Sequence, residues 1–156
     1  MNQSRNLLLL TAAACLVAIA LALYLQHAKD MLPCPLCVIQ RYLFLALALA
    51  CLVGVAIHKA KLGAAVGLAV ALGGIGVALK HLYVLAHPGL SCGIDPLETS
   101  LNRVFTARFM PYVFRADGLC EDATTPFFGL SLPQWTLVGF GLSALLMVWI
   151  LTRRRA

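Results

Sequence analysis

Charge is what this sequence has least of. Asp, Glu, Lys and Arg make up only 12% of its 156 residues, against about 25% in ordinary soluble domains. Hydrophobic residues reach 62% and the mean hydropathy is +0.90. A water-soluble globule is thereby excluded, and so is a disordered chain, which requires low hydrophobicity. Acids are scarcer than bases, six against twelve, for a net charge of +6. Elsewhere such an excess points to nucleic acid, but here it resolves into membrane topology, and no nucleic-acid partner is expected. Metal-site spacing is also missing. His81, His87, Cys92 and Cys120 are the residues that could complete four zinc ligands with Cys34 and Cys37, but the single Cys-x-x-Cys has no second copy and no His-x-x-x-His beside it, so no metal centre is expected. Finally, the long apolar runs lack interior proline. Pro33, Pro35, Pro88, Pro96, Pro111, Pro126 and Pro133 all fall outside them or in their first turns.

The runs themselves dominate the chain. Leu7–Leu25, Leu62–Leu79 and Leu132–Leu151 contain no acid or base, and Tyr42–Ile57 joins Val38–Gln40 with only Arg41 between. A spanning helix needs about 20 such residues at ~1.5 Å each. The expected architecture is an all-α membrane protein, one integral domain over residues 1–156, built as a four-transmembrane-helix bundle. Its spans are expected near 6–25, 37–57, 62–82 and 132–152, with loops at 26–36 and 83–131. The first run is too long for the apolar segment of a signal peptide and is expected to remain as a span, despite the lipoprotein-like Thr11-Ala12-Ala13-Ala14-Cys15. Glycines 63, 67, 73, 74 and 76 in the third span are read as small residues for close helix packing.

Four spans place both termini and the 58–61 turn on one face. That face holds Arg5, Lys59, Lys61, Arg153, Arg154 and Arg155 and no acid, whereas the opposite face holds the other six bases and all six acids. The whole excess of positive charge therefore lies on one side, which the positive-inside rule makes cytoplasmic. The loops are then expected to be periplasmic, in a multi-pass protein of the bacterial inner membrane.

This topology sorts the six cysteines. Cys15 and Cys51 fall mid-span, where a thiol acts as a small apolar side chain. Cys34, Cys37, Cys92 and Cys120 all face the oxidising side, where an even number of thiols reads as two disulfides. Four cysteines allow three pairings, and spacing does not choose among them. A Cys34–Cys37 bridge would close too small a ring to restrain the unfolded chain, so Cys34-Pro35-Leu36-Cys37 reads as a redox pair rather than a staple. Cys37 is expected to begin the second helix, where the peptide dipole favours a thiolate. Arg41 lies four residues on, on the same helical face, suited to supporting that thiolate or an electron-rich oxygen of a lipid-borne acceptor. Its simpler role is an interfacial anchor whose guanidinium reaches the headgroups.

The second loop carries its own helix signal. Asp95 suits an N-cap, Pro96 the first helical position and Glu98 the third, while Leu97, Leu101, Val104, Phe105 and Phe109 share a face until Pro111. A short amphipathic helix lying on the membrane surface is expected, with Arg108 directed at phosphates.

These motifs occur together: four spans, Cys34-Pro35-Leu36-Cys37 with Arg41, a cysteine pair in the second loop, and Phe128-Gly129-Leu130-Ser131-Leu132-Pro133-Gln134-Trp135 before the fourth span. In combination the chain resembles the bacterial disulfide bond formation protein B (DsbB) family over nearly its whole length. The resemblance implies a quinone-dependent thiol oxidase that reoxidises a periplasmic thioredoxin-fold (DsbA-like) partner and passes the electrons to ubiquinone or menaquinone. Carried over by position, Cys92 would be attacked by the partner's thiolate, and Cys120 would then open the Cys34–Cys37 bridge. Cys37 would donate to quinone with Arg41 stabilising the developing charge, and His81 would stand near the quinone, or else be a plain interfacial histidine. Two other readings compete. A vitamin K epoxide reductase-like enzyme shares the chemistry, but its loop cysteines precede the Cys-x-x-Cys. An inert tetraspan scaffold with two structural disulfides would leave Cys34–Cys37 locked.

Overall fold

The computed structural model describes residues 2–28, 32–87, 94–116, 118 and 129–153. Among them the secondary structure is helical: α1 (Asn2–Ala28), α2 (Pro35–Ala56), α3 (Ala60–Ala86), α4 (Ile94–Arg103), α5 (Phe105–Phe109), α6 (Pro111–Phe114) and α7 (Leu132–Thr152). Four of these, α1, α2, α3 and α7, are long and apolar enough to cross a membrane. They are the four expected spans. α1 and α3 run several residues past the uncharged segments, because Gln26, His27, Lys80 and His81 continue the helix instead of ending it.

α2 lies between α1 and α3, and α3 packs against α7. The main core runs through all four helices and includes Leu8, Ala12 and Cys15 of α1, Leu47 and Cys51 of α2, Ala64 and Ala71 of α3, and Phe140, Met147 and Ile150 of α7. Phe44 stacks on Phe140 with ring centroids 4.1 Å apart. The outward side chains are also apolar: Leu10, Val17, Leu49, Leu72 and Leu145 are all exposed. Water would penalise such a surface heavily, whereas lipid chains do not. With no hydrophobic drive between helices in lipid, close contact depends on small residues. A Cβ on Gly54 would stand 2.6 Å from the Gly63 Cα, and Gly67 and Gly74 of α3 are covered by Met147 and Phe140 of α7. Gly73 and Gly76 meet no such neighbour, so the packing stripe is Gly63, Gly67 and Gly74 rather than all five glycines.

The α2–α3 turn reverses the chain in three residues. The Lys59 N–H donates to the Gly54 carbonyl (3.0 Å) and the His58 N–H to the Val55 carbonyl (3.1 Å), which together satisfy the last carbonyls of α2. His58 takes the left-handed conformation this requires, at φ 56°, a position glycine fills with less strain.

The loop helix differs from expectation. A single amphipathic helix through Phe109 is replaced by two short ones, α4 and α5, broken at Val104 (φ −63°, ψ 141°), and a third, α6, follows after Met110. The β-branched Val104 turns to an extended conformation, and Pro111, whose ring cannot continue a helix, opens α6 at its first position. α4 already includes Ile94, so Asp95 is a helical residue and not the N-cap. The break leaves Phe105, Phe109, Met110 and Tyr112 exposed while Ala107, Phe114 and Ala116 bury against Val38 of α2. The segment is therefore docked on the bundle along one side and presents aromatic rings along the other.

Candidate active site

The end of the bundle formed by the start of α2, the end of α3 and the α5–α6 segment gathers the chemistry. Pro33 and Pro35 bracket Cys34, which takes an extended conformation (φ −76°, ψ 164°) and serves as N-cap of α2, with Pro35 at the first helical position. Here the expected boundary needs correction. The helix starts at Pro35, two residues before Cys37, because proline's fixed φ is already helical and its missing N–H costs nothing in a first turn. Cys37 thus lies in the first turn, and its backbone N–H donates to the Cys34 Sγ at 3.3 Å. A sulfur occupies the place usually taken by a Ser or Asp oxygen.

The two sulfurs are 2.8 Å apart, with both cysteines as free thiols. Cys34 is 1% exposed, whereas Cys37 is only partly buried. The Cys34 thiol is held above the ordinary thiol range, first by its hydrogen bond to the Cys37 sulfur and then by burial. His81 approaches from α3, fully buried, with Nε2 3.7 Å from the Cys34 Sγ. The interfacial reading of His81 is thus overturned: a turn beyond Val77 the helix still faces the core, and the ring packs inward on Cys34.

Arg41 is also not an anchor in the headgroups. It is 7% exposed, its Nη1 donates to the Val113 carbonyl of α6 at 2.6 Å, and it interacts electrostatically with both sulfurs. A buried guanidinium requires partners to offset its lost hydration, and the loop supplies one. Tyr42, the next residue, stacks on Phe114 at 4.6 Å and hydrogen-bonds Thr106. Asn102 closes the loop on itself, donating from Nδ2 to the Ala116 carbonyl (3.0 Å) and accepting from the Ala116 N–H (2.9 Å). These clamps were not legible beforehand. Tyr42 beside Arg41 at the start of an apolar run was the available signal.

Cys92 and Cys120 lie outside the described residues. Gly118 does not, and its N–H donates to the Pro33 carbonyl at 3.1 Å. The chain two residues before Cys120 therefore passes directly over the residue before Cys34. A side chain could not pass there, since a Cβ on Gly118 would stand 2.7 Å from the Leu32 carbonyl carbon. Cys15 and Cys51 are packed in the main core, away from this end.

Quinone fits the residues present in two respects. The site lies where the apolar helices α2 and α3 meet the loop segment, and Gln40 offers a buried amide whose Nε2 finds no acceptor among the described residues. An orphaned N–H donor suits a carbonyl-bearing apolar ring. Gln40 has no charge of its own, and the neighbouring Arg41 carries the visible polar signal of this stretch.

Comparison with known proteins agrees with this geometry. A family model described as "Disulfide bond formation protein DsbB" matches residues 4–150. "Disulfide bond formation protein B" of Herminiimonas arsenicoxydans is 51% identical over 158 residues, covering 100% of both chains. The protein of that name from Burkholderia pseudomallei (strain 1106a) is 42% identical, over 99% of this chain and 94% of its own length. "Disulfide bond formation protein B 2" of Burkholderia lata is 45% identical, over 95% of this chain and 89% of its own. With four spans, a paired Cys-x-x-Cys at the start of the second and a match over almost its full length, the chain belongs to the DsbB family of multi-pass inner-membrane, disulfide-generating oxidoreductases, whose role is the quinone-dependent reoxidation of DsbA.

Proposed function

We propose that this chain carries out the family's thiol oxidation through Cys92, Cys120, Cys34 and Cys37, with the loops periplasmic, both termini cytoplasmic, and Arg41 and Gln40 holding the quinone head group. The thiolate of a reduced DsbA-like partner attacks Cys92 of a Cys92–Cys120 disulfide, forming a mixed disulfide and releasing the Cys120 thiolate. Cys120 attacks Cys34 of the oxidised Cys34–Cys37 pair, and Cys37 leaves as a thiolate. The partner's second thiol resolves its mixed disulfide and departs oxidised. Cys92 then attacks Cys120, restoring the loop disulfide and leaving the reduced Cys34–Cys37 dithiol. Exchange of this kind needs a thiolate attacker and an accessible disulfide at each stage. A bound quinone supplies a two-electron, two-proton acceptor. The Arg41 guanidinium offsets negative charge where electrons leave Cys37, and His81 Nε2 is placed to take the Cys34 proton.

The observation that supports this reading is the hydrogen bond from the Gly118 N–H to the Pro33 carbonyl, which joins the residue two before Cys120 in sequence to the residue before Cys34. It also favours this function over an inert tetraspan scaffold, in which the loop has no need to approach the Cys-x-x-Cys. The test uses the full chain in detergent, a reduced thioredoxin-fold periplasmic oxidase and a soluble ubiquinone or menaquinone analogue, following quinone absorbance. Absorbance loss that requires both the partner and the chain is expected. A Cys34–Cys37 pair that resists mild reductant, with no quinone consumed, would establish the scaffold.

A second expected result isolates the tether. Gly118→Ala forces the loop off Leu32 and Pro33 and should slow partner oxidation by roughly tenfold, equivalent to about 1.4 kcal/mol on the exchange step. Direct oxidation of a small dithiol by the Cys34–Cys37 pair should change much less. Equal loss in both assays would mean that the substitution damages the bundle and not the approach of Cys120.

A further inference from the structure

Cys34, Cys37 and His81 bring two thiols and an imidazole together from two helices, with every donor atom within 4.8 Å of the others. We propose that in its reduced state this cluster is a three-coordinate site for copper(I). Donors bonded to one ion at about 2.3 Å stand roughly 3.5–4 Å apart. The Cys34 Sγ to His81 Nε2 separation of 3.7 Å already matches. The sulfurs at 2.8 Å need to part by about an ångström, which a modest change in the Cys37 side-chain torsion provides at a partly open position.

Donor type and charge select the ion. Paired thiolates with imidazole favour soft cations, copper(I) and zinc above all. Zinc in a protein site takes a fourth ligand. Among the described residues the cluster supplies three, of which Cys34 and His81 are 1% and 0% exposed. Two thiolates and one copper(I) carry a net charge of −1, which the buried Arg41 guanidinium, electrostatically coupled to both sulfurs, neutralises. Zinc(II) in the same place would leave a net positive charge in a buried site, which is unfavourable. Binding displaces the two thiol protons to solvent and moves no electrons: copper stays copper(I), and the cysteines stay reduced. The disulfide form has no thiolate to offer and does not bind. If the proposed function holds, copper(I) captures the dithiol at the step where it would be reoxidised and so inhibits turnover.

The test is binding, without quinone. The full-length Cys92→Ser, Cys120→Ser chain, reduced and freed of reductant under anaerobic conditions, competes for copper(I) with a chromophoric copper(I) chelator. One copper(I) per chain is expected to leave the chelator, with X-ray absorption showing two sulfurs and one nitrogen. Cys34→Ser or Cys37→Ser in that background should abolish retention, and His81→Gln, which preserves a polar group in the cavity, should weaken it at least tenfold. Zinc(II) under the same conditions should be retained more weakly. No retention, retention unaffected by Cys34→Ser, or retention unaffected by His81→Gln would overturn the site. Metal-free quinone reduction by the unsubstituted chain is measured alongside. Its failure would count against the proposed function while leaving the copper result to stand or fall alone.

Discussion

Cys37→Ser is expected to reduce quinone consumption to the rate seen without protein. Serine is nearly isosteric with cysteine, and the first-turn N–H that bonds the Cys34 sulfur belongs to the backbone, so α2 should form unchanged. What disappears is the second sulfur. Without it the Cys34 thiol cannot close into a disulfide, and no pair of electrons leaves the site. Circular dichroism in detergent should match the unsubstituted chain, which separates lost chemistry from lost structure. Turnover at the original rate in Cys37→Ser would end the proposed mechanism. Cys34→Ser should be equally inactive and equally well folded, since a serine oxygen is a stronger N-cap than a thiol.

Arg41→Ala is expected to raise the quinone KM by about 10- to 100-fold with a smaller change in kcat. That range follows from the roughly 1.5–3 kcal/mol attached to hydrogen bonds from charged groups, at 1.4 kcal/mol per factor of ten. The side chain does two things at once, because its Nη1 also donates to the Val113 carbonyl. Arg41→Lys separates them. It retains the positive charge but not the planar fork of donors, so it should recover part of the quinone affinity while leaving α6 less well held. Protease sensitivity of the loop reports the second effect. A KM for quinone unchanged in Arg41→Ala, together with a protease-sensitive loop, would assign Arg41 to loop docking alone.

The long apolar runs were enough to establish four spans, because lipid leaves the backbone no alternative to intrahelical hydrogen bonding. Cys34-Pro35-Leu36-Cys37 with Arg41 was legible for a related reason. Residues three and four apart along a helical turn are neighbours wherever the helix goes, so the two thiols and Arg41 needed no tertiary structure to be placed together. The exact start of α2 was less legible, since Pro35 favours the first helical turn as strongly as the dipole argument favoured Cys37. The loop was misread where local signals compete: Val104 and Pro111 interrupt a periodicity that reads as continuous, and burial of Ala107 and Phe114 against Val38 decides where the chain bends.

Sequence alone therefore determined the spans, the placement of Cys15 and Cys51 in the core, and the proximity of Cys34 to Cys37 at the start of α2, all of which depend on composition and short-range spacing. Only the tertiary structure put His81 on the Cys34 sulfur from 47 positions away, gave Arg41 a carbonyl 72 positions away, and laid Gly118 across Pro33. Such contacts depend on how α3 and the loop pack against α2. Packing of this kind is settled by small-residue contacts and buried hydrogen bonds distributed over the whole bundle, and no local stretch of sequence contains both partners.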